Sequence, residues 1–331
     1  MKQIHKKLLK TGLFTVMALA ATANVASAAT INKTLCVRSV NKTMSDGVSV
    51  TFWGFTDSCG GMGSPLIPGP AVEVGIGDTL NLTLDMMMAP QEQAPYNGHT
   101  IHLHGADVPT SEDGVPETNG GAVNGDTYTF TPASNMAGSY MYHCHVHTVK
   151  HLEMGMYGAL VVRPKDAAGN FLKQITADAA TAFDYVQNYV LSSVDPAYHT
   201  ASGDSTVFAG YNPQYFLING AEGKTTAAPA TTLATAVNKK VALRLIGIHS
   251  VNGTFSIKDS AGAAKSFTVY VQDGRKLPTV KTVTNLDITP GQRFDVLFTT
   301  PSTTGTWYPQ VTYKKLRDNS AFATTYGKIT F

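Results

Sequence analysis

From about residue 48 to the C-terminus the chain is written in short segments that alternate apolar and polar residues. VSVTFWGF, AVEVGIGDTLNLTLDM, DTYTFTP and MYGALVV come first; KKVALRLIGI, SFTVYVQ and RFDVLFTT follow later. Alternation with a period of two is the pattern of a strand with one buried face, and sustained helical periodicity is hard to find. IPGP and the Gly-Asp of GIGDT punctuate the segments as turns. With only 15% charged residues and abundant Gly, Thr, Val and Pro, the chain reads as all-β sandwiches or barrels. Residues 29–165 form one expected β domain. DAAGNFLKQ lies in an expected linker, 166–177, and residues 178–331 form a second β domain, long enough for its own core.

Residues 1–28 differ in kind. MKQIHKKLLK carries four lysines and no acid, an apolar run follows, and Ala26-Ser27-Ala28 precedes Ala29. A basic start, an apolar centre and small residues at the end make a secretory signal peptide, and the apolar run is too short for a comfortable membrane span. The mature chain is therefore expected to be exported, periplasmic or secreted, with no membrane span. Loss of those four lysines takes the formal charge from +2 to −2. No basic patch remains to argue for nucleic acid.

The three cysteines are Cys36, Cys59 and Cys144. In an oxidising compartment two should pair. Cys36 and Cys59 flank one expected hairpin and are assigned to a disulfide. Cys144 is left over, a hazard outside the cell unless something such as a metal protects it.

Cys144 sits in YMYHCHVHTVKHLEMGM, which holds four of the ten histidines. Side chains alternate faces along a strand, so His143 and His145 share one face and Cys144 takes the other. In GHTIHLHG, His102 and His104 share a face and His99 points opposite. Two groups follow if the strands adjoin: His99 with Cys144, and His102, His104, His143 and His145 together. His151 and Met156 lie beyond the strand, where a turn can return them to the thiol. Two imidazoles, a thiolate and a weak thioether make the donor set of a blue-copper electron-transfer site. Met154 is an alternative axial donor and His147 an alternative to His151. Zinc also uses Cys and His, and His147 and His151 stand at HxxxH spacing, but the CxxC pair that accompanies it in structural zinc sites is missing.

GHTIHLHG, DGVPET, AGSYMYHCHVHTVKHLEMGMYGALVV and IPGPAVEVGIGDTLNLTL resemble, in order, the first cupredoxin domain of multicopper oxidases. The resemblance covers most of residues 45–165. The wide spacing from Cys144 to His151 resembles two-domain, laccase-like members with blue copper in their first domain. It implies two tandem cupredoxin-like Greek-key domains with copper as cofactor. His99, Cys144, His151 and Met156 match the type 1 site, and His102, His104, His143 and His145 match half of a trinuclear cluster. In the family, electrons from a small-molecule or protein donor enter at type 1 copper and pass through His-Cys-His to the cluster, which reduces O2. Two-domain relatives are commonly trimers, so a homo-oligomer is expected.

The second domain departs from this pattern. YFLING, KKVALRLIGI, ITPGQRFDVLF and GTWYPQVTY resemble its ordinary strands, yet its two histidines, His199 and His249, lie outside any HxH motif. GTWY is followed by Pro309-Gln310-Val311-Thr312, and the other ligand strand falls at GTFSIKD. Duplication followed by loss of copper ligands fits. Three functions stay open: an oxidase whose missing ligands come from another chain, a blue-copper electron-transfer or copper-binding protein, and a reductase resembling copper nitrite reductases. The last fits less well, because those enzymes carry Asp at the position of His102 and no histidine at that of His145. Among weaker signals, Met86-Met87-Met88 at a strand end is expected to fill core, although methionines also bind Cu(I). Asp113 reads first as a turn residue, or as a carboxylate near the cluster. Glu153 could hydrogen-bond a ligand histidine, and His249 reads as a strand-end residue, or as a copper donor across a subunit boundary.

Overall fold

The computed structural model describes residues 28–60, 66–90, 98–199 and 210–331. The signal-peptide assignment therefore lies almost wholly outside the described residues. Among them, no helix is long and apolar enough to cross a membrane.

The first domain packs two four-stranded sheets face to face. β1 (Thr30–Thr43), β2 (Ser49–Thr56), β4 (Thr79–Asp85) and β6 (Thr127–Phe130) form one, in the order β2-β1-β4-β6. β3 (Gly69–Gly75), β5 (His102–His104), β7 (Gly138–His143) and β8 (Tyr157–Arg163) form the other, in the order β3-β8-β7-β5. The alternation read in the sequence is plain in β4, where Leu80, Leu82 and Leu84 are buried and the residues between them only half so. These leucines meet Val72, Val74, Leu103, Tyr140, Tyr142 and Leu160 from the facing sheet in one apolar core. Cys144 and Met156 lie inside that core. A disulfide joins Cys36 of β1 to Cys59 beyond β2, with Cα atoms 5.5 Å apart.

The second domain repeats the plan with a seven-stranded and a six-stranded sheet around its own core of Leu243, Phe255, Phe267, Val296, Val311 and others. The architecture is two tandem β-sandwich domains, as expected from the sequence. The alternation missed β1, whose first residues are half exposed, and several second-domain strands, among them Arg275–Val283 and Ala321–Thr330. Arg275–Val283 is almost wholly exposed, so no buried face stamps a period on it.

Two features fix one domain against the other. Apolar clusters cross the boundary: Phe52 and Val50 meet Val194 and Leu217, and Met141 and Tyr157 meet Val190 and Ile246. A buried ion pair lies beside them. Asp295 Oδ1 accepts from Arg244 Nη1 at 2.8 Å and from Ser139 Oγ at 2.6 Å, and Asp295 Oδ2 accepts from Ser139 N at 2.9 Å. Asp295 and Arg244 are 0% and 2% exposed, so neither charge has water to fall back on. Ser139 belongs to β7, the strand that runs into Cys144. Removing one partner would strand the other charge, so Asp295→Ala should lose about 3–5 kcal/mol of stability in a denaturant titration.

Candidate metal centre

β7 ends at His143, and its alternation continues one step further. Cys144 turns into the core while His143 faces the opposite side. Cys144 Sγ lies 3.0 Å from His151 Nδ1 and 3.8 Å from His99 Nδ1. All three side chains are buried, and their ligand atoms lie within 4.8 Å of one another.

The chain reaches this arrangement by a tight return. His147 adopts left-handed φ (42°) and caps the helix Thr148–Met154, which carries His151 one turn later. Gly155 (φ 111°) ends the helix, and a Cβ there would lie 2.7 Å from Ile67 and 2.8 Å from the Trp53 carbonyl. Met156 then runs back beside the strand end, with Cys144 N–H donating to Met156 O at 3.1 Å. Met156 shares the core cluster of Cys144, whereas Met154 is buried outside it. His147 stays apart from the group around the thiol, its ring 6.1 Å from that of His151.

Burial would push the Cys144 thiol up. The charge and hydrogen bond of His151, then the contact with His99, outweigh it and hold the thiol down at about 5. A thiolate facing two imidazoles in a dry apolar core has the chemistry of a soft-metal site, and the donors fit copper.

On the other side of β7 the four remaining histidines converge. β5 pairs with β7 so that His102 faces His143. Ring centroids of His102 lie 5.0 Å from those of both His143 and His145, and His104 Nδ1 lies 3.3 Å from His143 Nε2. Ligand atoms of His102, His104 and His143 fall within 4.8 Å of one another. Burial drives His143 well below its ordinary range. Burial and then the nearby Arg293 charge bring His104 down to about 4. Burial also lowers His102, against the opposing pull of Asp113. Those three imidazoles are therefore neutral near pH 7, the form in which nitrogen lone pairs bind metal.

Asp113 is more than a turn residue. His102 Nδ1 lies 2.6 Å from its backbone oxygen and 3.2 Å from its carboxylate, which fixes the ring and leaves Nε2 for the cavity. Gly114 permits this approach: at φ 70° it packs onto the backbone of Ile101 and His102, where no Cβ fits. Met87 and Met88 do not fill core. They occupy the turn after β4 and are 82% and 67% exposed, while Met86 alone packs against the core and its Sδ accepts from His99 N–H at 3.1 Å. Glu153 does not bond a ligand histidine. Its carboxylate accepts from Asp195 N at 2.6 Å and from Tyr211 O–H at 2.9 Å, tying the His151 helix to the second domain.

The second domain forms the far wall of the four-histidine cavity, about 380 Å³ in volume, with residues 247–250 and 290–291. Arg293 packs its guanidinium against Gly105, beside His104, leaving no room for a side chain there. Among the described residues, the donor atoms that come within 4.8 Å of one another here are those of His102, His104 and His143, and His249 of the second domain lines the same cavity outside that group.

Strand register shows what stands at the equivalent positions of the second domain. Ser256 faces Gln310 and Ile257 faces Pro309 in the second domain, as His102 faces His143 and Leu103 faces Tyr142 in the first. In that correspondence Gly253 and Val311 stand for His99 and Cys144. Ser256, Lys258, Gln310 and Thr312 stand for His102, His104, His143 and His145. His249 donates from Nδ1 to Val251 O (2.5 Å), and its Nε2 lies beside Gly253. A Cβ on Gly253 would sit 3.3 Å from both His249 Nε2 and Val311 Cγ1.

Comparison with known proteins places this arrangement. Two models of the multicopper oxidase family match, one over residues 65–167 and one over residues 194–329. Laccase-3 of Botryotinia fuckeliana is 31% identical over 248 residues, 73% of this chain and 50% of the relative. The copper-containing nitrite reductase of Neisseria meningitidis serogroup B is 32% identical over 125 residues, 38% of this chain and 28% of the relative. The blue copper oxidase of Nitrosomonas europaea has a similar fold, with a TM-score of 0.69 at 21% identity, covering 91% of this chain and 86% of that one. The chain belongs to the multicopper oxidase family, whose members are copper-binding oxidoreductases. It spans about half the length, or less, of the laccases it matches.

The thiolate can be tested without metal. In copper-free protein, thiolate ultraviolet absorption should be present at neutral pH and vanish as pH falls through about 5. Cys144→Ser should lack it at every pH. Titration in the ordinary thiol range would contradict the pairing with His151 and His99.

Proposed function

We propose that this chain is an exported copper oxidoreductase of the oxidase type. The Cys144 donor set would hold a copper able to take electrons from a reductant, and His143-Cys144-His145 would link it to a second copper site, which would supply the chemistry of O2 reduction. The carrying observation is that two donor sets lie on opposite sides of one strand end, joined covalently by these three residues. His99, Cys144, His151 and Met156 would hold type 1 copper, and His102, His104, His143 and His145 would hold the second site. Copper in such sites supplies reversible one-electron chemistry.

The protein's own contribution is positional. The apolar core around Cys144 excludes water and holds thiolate and imidazoles in a fixed geometry through the electron's arrival and departure. Asp113 orients His102, and its carboxylate lies where a proton could be handed on beside the cavity. The donor, a small molecule or a protein, is external. Four imidazoles make half of a trinuclear set, so the oxidase reading requires further donors from outside the described residues, most simply from a second copy of this chain.

A second reading rests on a specific observation. The second-domain positions that would complete the cluster carry Ser256, Lys258, Gln310 and Thr312. That favours a blue-copper electron-transfer or copper-binding protein with no complete cluster. Retention of four converging, buried or half-buried imidazoles weighs the other way, since a carrier has no use for them.

Copper-loaded protein separates the two. The oxidase reading expects more than one copper per chain, blue colour, and oxygen uptake with a reductant. One copper per chain with colour and no uptake leaves the carrier. His102→Ala should keep the colour and abolish oxygen uptake; undiminished uptake would remove the second site from the mechanism.

A further inference from the structure

Trp53 lies on β2 at the rim of the first core, half-buried, so part of its indole meets solvent. Its ring stands edge-on to both imidazoles of the thiolate group. The centroids are 5.4 Å from His151 at 70° and 6.0 Å from His99 at 73°, and the two imidazoles are themselves 4.8 Å apart. Among the described residues no other non-histidine aromatic ring touches either imidazole. Cys144, His99 and His151 are 0–1% exposed, so a donor in solution cannot reach them directly. Among the described residues, the one partly exposed non-histidine π-system in contact with both imidazoles is this indole.

We propose that Trp53 is the port through which electrons reach the Cys144 site, a role that rests on the copper reading given above. A reductant at the exposed part of the indole is oxidised by one electron, and copper held by Cys144, His99 and His151 is reduced from cupric to cuprous. No bond forms or breaks, and Trp53 carries no proton. Lys150 refines the role. Its Nζ lies 5.6 Å from the centre of the indole, and the residue is 1% exposed. A cation over a π face is attracted by the ring's electrons, so taking one of them away becomes harder. Trp53 therefore bridges donor and acceptor without being oxidised itself. The position is held from behind by Gly155, where a side chain would collide with the Trp53 carbonyl.

The test uses the full-length protein. The chain has two tryptophans, Trp53 and Trp307. Cupric ion added to copper-free protein should quench the emission of Trp53, and Trp53→Phe should leave only the unquenched emission of Trp307. Wild-type emission that ignores copper would overturn the contact. The copper-loaded protein is then mixed anaerobically with ferrocyanide, whose iron goes from ferrous to ferric, and loss of visible colour is timed. Trp53→Leu should slow this step by about tenfold or more, equivalent to about 1.4 kcal/mol of barrier, with visible spectrum and midpoint potential unchanged. Trp53→Phe should recover part of the rate. A wild-type rate in a fully coloured Trp53→Leu protein would overturn the port alone. A slowed rate accompanied by an altered spectrum or potential would replace it with mere support of the site. A wild type that binds copper without colour would remove the copper reading beneath it.

Discussion

Everything in the first domain depends on what a strand does to three consecutive side chains. His143, Cys144 and His145 are adjacent in sequence, and extended backbone sends the middle one to the face opposite its neighbours. The sulfur enters a core built by Val72, Leu103, Tyr142 and Leu160, while the imidazoles face a cavity. Two chemically different sites are thereby placed back to back with a few covalent bonds between them. A helix would instead splay the three residues around its axis, so the back-to-back division belongs to the sheet.

The second domain shows how little of the fold depends on those donors. Its strands pair in the same register, yet Val311 stands where the first domain has its thiol, Gly253 where it has His99, and Ser256 and Gln310 where it has two of the cavity imidazoles. Val311 packs in the second core as Cys144 does in the first. A small apolar side chain satisfies a core position as well as a thiol does, so losing the ligands leaves the sandwich standing. What remains for the second domain is architecture: the Arg244–Asp295–Ser139 cluster grips β7, Glu153 ties the His151 helix to Asp195 and Tyr211, and residues 247–250 and 290–291 wall the cavity.

Much of this was legible in the chain itself. Alternation marked β4 and β6 because each has one buried face, β7 and β8 read as apolar runs because both their faces are buried, and parity alone separated Cys144 from His143 and His145. The choice of His151 over His147 was not fixed by the sequence, because it depends on His147 taking a left-handed conformation to start a helix. Glu153 lies two residues from His151 and invited a local role, yet its carboxylate turns toward residues 42 and 58 positions away. Met87 and Met88 look like core by composition, and only the turn after β4 puts them in solvent. Trp53 carried no signal beyond the rarity of tryptophan, since β2 and the return loop that bring it to His99 and His151 are far apart in sequence.

The sequence by itself determined the all-β class, the donor types and their assignment to two faces, since these follow from residue identity and a period of two that act along a single strand. The tertiary structure decided which histidine meets the thiol, what holds His102, what the second domain offers the cavity, and which aromatic ring stands between the buried site and solvent. Those are distances between segments remote in the chain. They are set by sheet order, turns and packing, which no local pattern encodes.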